Sequence, residues 1–190
     1  MQSGSNSDTP TQLIFERIAD ASILSHFSCG IDSMDEFIHK ELQEYIWMGS
    51  CQMYIIREGE EIVAMYCLDQ HNLCLSEVVK NKMKEGTKPS PQNIQDIDNS
   101  YWFKPFFDAV EITYLAVSVN RQRQHIGSFI IESIMNQVAH NPDIHSDFVT
   151  VRALKHSDYT AVPFYRSCGF FPAEEEVAGR NLFMYRVVIR

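Results

Sequence analysis

Residues 109–131 limit the possible folds more than any other part of this chain. Ala109 to Val119 is almost continuously apolar, the pattern of a strand buried on both faces. The polar run Asn120-Arg121-Gln122-Arg123-Gln124-His125 ends it, and Ile126 opens an amphipathic helix that the spacing extends to about residue 139. Phe148 to Ala153 then reads as a second strand. Strand, helix and strand in this order make one parallel crossover, so the fold class is α/β. The loop also carries chemistry. Backbone N–H groups at the start of a helix, with the helix dipole behind them, attract an anion. Gly127 lets the backbone approach a ligand with no Cβ in the way. A pyrophosphate suits such a cradle; an ordinary strand-to-helix turn has the same outline.

The remaining elements follow from local patterns. Gln12 to Ile18 alternates as a first strand. Ile31, Met34, Phe37, Ile38, Leu42, Tyr45 and Ile46 recur at helical spacing, which predicts a helix over 31–47. Cys29-Gly30 marks the turn before it, with Asp32 or Ser33 as N-cap. Residues 51–57 and 61–68 read as a hairpin around Glu58-Gly59. Residues 76–108 read as a long loop insertion holding a short helix, Ser76 to Glu85, which Lys88-Pro89-Ser90-Pro91 terminates. The aromatic run Tyr101 to Phe107 within it suits a lid, a binding wall or a plug over the core. Ser157 or Asp158 caps a helix that carries Phe164-Tyr165 and ends at Gly169, and Phe183 to Ile189 is the final strand.

Bulk composition narrows the class. The 190 residues suit one domain, expected over 12–190, with 1–11 as a disordered tail that lacks the basic end and apolar segment of a signal peptide. No apolar run is long enough to span a bilayer, so no membrane partner is expected. The five cysteines are odd in number, form no CxxC pair and mostly sit in apolar patterns. They read as reduced, buried thiols of a cytoplasmic protein. The seven histidines lack metal-ligand spacing, so no metal site is expected. A net charge of −9 disfavours a nucleic-acid partner and favours cationic ones such as amines. A homodimer stays open.

Two blocks carry a family resemblance. Gln122-Arg123-Gln124-His125-Ile126-Gly127-Ser128 resembles the acetyl-CoA signature of the GNAT family of N-acetyltransferases, Gln/Arg-x-x-Gly-x-Gly/Ala. Ala161-Val162-Pro163-Phe164-Tyr165-Arg166-Ser167-Cys168-Gly169-Phe170 is similar to that family's later helix and the turn into its next strand. The blocks stand in the family's order and at about its spacing. One position departs: His125 stands where the family has the first glycine of its pair. The resemblance implies the GNAT fold, a mixed twisted sheet split at its centre with helices on both faces. It implies acetyl-CoA as acyl donor and direct transfer to the primary amine of a small molecule, a peptide N-terminus or a lysine. It places Leu115, Ala116 and Val117 along the pantetheine arm through their backbone. Gln122, Arg123, Gln124, His125, Ile126, Gly127 and Ser128 fall at the pyrophosphate. Phe27-Ser28-Cys29-Gly30-Ile31-Asp32-Ser33-Met34-Asp35-Glu36-Phe37 also looks like the opening of toxin-type GNATs, which acetylate aminoacyl-tRNA. That is the alternative acceptor. The His125 departure leaves a further alternative, a degenerate non-catalytic module that binds CoA or a partner.

Two residues are candidates for the chemistry. Tyr165 matches the tyrosine of the family's Phe-Tyr pair, which protonates the CoA sulfur; core packing is its alternative. Glu111 lies four residues before Leu115, similar to a glutamate of the histone acetyltransferase branch. That makes it the candidate base, since burial makes a carboxylate more basic. An ion-paired or edge-exposed carboxylate is the alternative. Simple alternation puts Tyr114 on the opposite face from Glu111.

Overall fold

The computed structural model describes residues 12–91, 99–155, 159–174 and 181–190. The expected tail, the Ser157 and Asp158 caps and part of the 76–108 insertion lie outside these residues. The apolar central strand, β4 (Phe107–Val117), organises the sheet. It pairs antiparallel with β3 (Glu61–Leu73) along its length. With β5 (Phe148–Ala153) it pairs in parallel over Ala109–Ile112 alone. Beyond Ile112 the two strands part, and the sheet is split there. β2 (Gln52–Glu58) and β1 (Leu13–Ile18) extend one half, and β7 (Leu182–Val187) and the two-residue β6 (Phe171–Pro172) extend the other. The order is β1-β2-β3-β4-β5-β7-β6.

Helices cover both faces. α4 (Ile126–His140) buries Ile126, Ile130, Ile131, Ile134 and Val138 against Val110, Ile112, Val149 and Val151. α5 (Val162–Ser167) joins this cluster through Val162 and Tyr165. The opposite face carries two separate apolar clusters. α1 (Asp32–Lys40) and α2 (Leu42–Trp47) cover Met53, Ile55, Met65, Cys67 and Ala116. α3 (Glu77–Lys84) and the 3-10 turn Asn99–Phe103 cover Leu73, Phe107, Phe148 and Tyr185. Among the described residues, no helix is long and apolar enough to cross a membrane.

Several expectations are corrected. The helix over 31–47 is two helices that break at Glu41. Its N-cap is Ile31, with no side-chain cap; Asp35 instead folds back and accepts from Ser28 Oγ at 2.6 Å and from the Cys29 N–H at 2.8 Å. The second hairpin strand runs on to Leu73. α3 does start from Ser76, whose hydroxyl accepts from the Val79 N–H. Tyr101 and Trp102 are buried as a plug, whereas Phe103 and Phe106 are exposed. A bulge matters most. Cys67 faces Tyr114 and Leu68 faces Ile112, so Thr113 is an extra, unmatched residue. The alternation slips by one there, and Glu111 and Tyr114 share a face instead of opposing each other.

Candidate active site

The loop after β4 is held by amide side chains. Gln122 Nε2 donates to Cys29 O at 2.8 Å and to Val117 O at 3.1 Å, tying the loop to the turn before α1. Gln124 Nε2 donates to Asn120 O at 3.2 Å. These two side chains shape the loop. Arg123 and His125 both have left-handed backbones, with φ of 61° and 62°. A non-glycine residue there costs on the order of 1 kcal/mol, and such strain gathers at functional sites. His125 therefore adopts a backbone conformation that glycine adopts readily. It is also the N-cap of α4 and makes no side-chain cap bond, leaving the first-turn N–H groups to another partner.

At Gly127 a Cβ would stand 3.2 Å from the Phe164 ring. Glycine thus sets the close approach of α4 to α5. Phe164 in turn packs edge-on to Tyr165, with centroids 5.0 Å apart. Tyr165 is buried, and desolvation pushes its phenol well above the ordinary range. Its proton is therefore retained at neutral pH.

These parts enclose a cleft of about 840 Å³. Leu115, Val117, Gln122, Arg123, His125, Ile126, Gly127, Ser128 and Tyr165 all line it. Ala116 and Gln124 do not; Ala116 is buried on the far face under α1. Glu111 does not line it either. Its carboxylate lies between two bases, 3.2 Å from His71 Nδ1 and 3.3 Å from Arg152 Nε. Of its two sequence readings, this is the ion-paired one.

Other lining residues had no motif of their own. Cys29, Gly30, Ile31 and Met34 arrive from the turn before α1, and Tyr159, Thr160 and Pro163 from the approach to α5. Only the Phe27–Phe37 block hinted at the first group. The Cys29 thiol is pushed up to about 11 by burial, which suits a wall residue more than a nucleophile. Arg121 is neutralised by Glu58 and Glu61. Arg123 stands at the cleft with no acidic partner among the described residues.

The sequence matches the acetyltransferase (GNAT) family over residues 21–170. The chain belongs to this family. It is an acyltransferase with acetyl-CoA as donor. The cleft offers an uncapped helix start, the Arg123 side chain and, among the described residues, a β4 edge with no paired strand. No curated protein matches the sequence. Similar solved structures include AtaTR bound with acetyl-CoA, at 20% identity over 93% of this chain and 94% of that one, TM-score 0.66. AtaT with acetyl-methionyl-tRNA is similar at 19% identity over 92% and 95%, TM-score 0.64. A tyrosine-to-phenylalanine mutant of KacT is similar at 20% identity over 92% and 94%, TM-score 0.66.

Proposed function

We propose that this GNAT moves an acetyl group from acetyl-CoA directly to the primary amine of an acceptor. The observation that carries this reading is the single cleft in which the α4 start and the Tyr165 ring meet. Acetyl-CoA supplies the activated thioester. The α4 N–H groups and Arg123 hold the pyrophosphate, and the backbone of Leu115 to Val117 holds the arm. Tyr165 keeps a proton on its phenol oxygen for the departing sulfur. Small amines, peptide N-termini and lysines are the simplest acceptors.

A second reading takes the α-amine of an aminoacyl-tRNA as acceptor. AtaT, so similar in fold, is solved with acetyl-methionyl-tRNA. The lysines also cluster along the chain. Lys80, Lys82, Lys84, Lys88 and Lys104 are five of the seven lysines in a chain of net charge −9. Lys82, Lys84, Lys104 and Phe103 are exposed, and Lys84 and Lys104 lie over the Trp102 and Tyr101 rings. A local basic and aromatic patch of this kind suits a polyanion despite the net charge. The test is CoA release from acetyl-CoA with spermidine, a free-amine peptide or charged total tRNA. Acetylation of charged tRNA alone selects the second reading. Tight CoA binding with no acceptor modified in any class overturns transfer to amines.

A further inference from the structure

On the sheet face opposite α4 the apolar packing falls into two parts with a polar gap between them. One apolar cluster lies under α1 and α2 and the other under α3, and the two share no residue. Between them, on adjacent strands, stand His71 on β3, Glu111 on β4 and Arg152 on β5. The bulge at Thr113 keeps Glu111 on this face along with Tyr114. The place is also where the sheet opens. The β4–β5 pairing stops at Ile112 and Val151, one residue after Glu111 and one before Arg152. His71, Glu111 and Arg152 do not themselves line the cleft; its lining begins further along β4, with Leu115 and Val117 toward α4, and takes Ile31 and Met34 from the α1 side.

The geometry within the gap is that of a braced imidazole. Glu111 is 9% exposed and presents one oxygen to each base, Oε2 to His71 Nδ1 at 3.2 Å and Oε1 to Arg152 Nε at 3.3 Å. Phe183 supports both partners, edge-on to the His71 ring at 5.6 Å and beneath the Arg152 guanidinium at 4.7 Å. The Glu111 carboxylate touches both side chains at once. It is well placed to favour the proton on Nδ1, which leaves the lone pair on Nε2. The His71 side chain is 24% exposed, so Nε2 remains within reach of a ligand. Other ionisable groups on this face, among the described residues, include Cys67 and Asp69 on β3, Tyr114 on β4 and Tyr185 on β7, with Lys88 over the Tyr185 ring.

We propose that His71 Nε2 is the base that takes the proton from the acceptor amine, with Glu111 as its positioning residue and Arg152 as the brace. This rests on the acetyltransferase reading above. The amine nitrogen forms the new C–N bond at the acetyl carbonyl carbon, and the C–S bond breaks. The amine's proton passes to His71 Nε2, and the sulfur takes the Tyr165 proton. The products are an amide and a free thiol; solvent then removes the proton from His71 and returns one to Tyr165.

The first test needs no acceptor. Long-range proton–nitrogen correlation spectra of ¹⁵N-histidine-labelled protein should show neutral His71 protonated on Nδ1, with Glu111→Ala shifting it toward Nε2. An Nε2-protonated His71 in the wild type overturns the proposal. The second test uses acetyl-CoA with water as the slow acceptor, followed by thiol release from pH 5.5 to 9. His71→Asn keeps a polar group toward Glu111 and removes the base. It should lower thiol release about 100-fold and flatten the rise with pH, while calorimetry shows unchanged CoA binding. Unchanged release with intact binding overturns the proposal alone. Absence of CoA binding by the wild type overturns the acetyltransferase reading and the proposal with it.

Discussion

Two residues separate chemistry from scaffolding. Tyr165 is buried and packs on Phe164 and Phe170, so its ring is core and only its hydroxyl is free for other work. Tyr165→Phe keeps the packing. If the phenol protonates the sulfur, turnover falls roughly 10–1000-fold while the Michaelis constant for acetyl-CoA holds steady. Wild-type turnover in that variant would assign Tyr165 to packing. His125 poses a backbone question. At φ 62° it bears left-handed strain that glycine does not. His125→Ala keeps that strain and His125→Gly removes it. Denaturant unfolding should therefore find the glycine variant more stable than the alanine variant by about 1 kcal/mol. Equal stabilities would mean that the loop relaxes out of this conformation.

At the scale of elements, the turn into α1 is held by one carboxylate. Asp35 accepts from Ser28 Oγ and from the N–H groups of Cys29 and Gly30. Burial pushes its carboxyl up, but these hydrogen bonds together outweigh that and hold it below its ordinary value. A lowered folded-state value gives stability that is present above the unfolded value, near pH 4, and lost as the pH falls through the folded value. Asp35→Asn should therefore lower Tm at pH 7, and the gap to wild type should close below about pH 4. A constant gap across that window would show that the charge has no part in holding the turn. Such long-range turns explain what could be read from the sequence. The 109–131 unit, α4, β5 and the Phe164-Tyr165 helix were legible because their signals are local periods and turn residues. The bulge at Thr113 was not, because an unmatched residue exists only relative to a partner strand. That one residue decides which face Glu111 shares. His71 was illegible for the same reason: a single histidine in a strand means little until Glu111 is placed 3.2 Å from it. The break at Glu41 follows from packing, since the apolar spacing runs through it.

At the scale of the whole molecule, the sheet is two blocks joined by a short parallel seam. β4 belongs to the β1–β4 block along its full length, and β5 to the β5–β7 block along its own. Only Ala109–Ile112 and Phe148–Val151 join them. From Tyr114 to Val117, β4 therefore has β3 on one edge and, among the described residues, no strand on the other. Backbone groups on such an edge need a partner, and a ligand with amide groups along an extended arm supplies one. The same cleft continues to the α4 start, where Arg123 and His125 expose first-turn N–H groups. A long ligand bound as proposed would span the edge of one element and the end of another, and binding should stiffen both together. Hydrogen exchange with and without saturating acetyl-CoA tests this. Protection should concentrate in peptides covering Tyr114 to Ser128, by roughly tenfold or more in rate, because amides that gain a partner stop exchanging by local opening. Peptides from β2, paired on both edges by β1 and β3, should change little. Protection confined to Gln122–Ser128 would place the pyrophosphate as read but detach the arm from β4. Protection outside Tyr114–Ser128 alone would move the cofactor to another site.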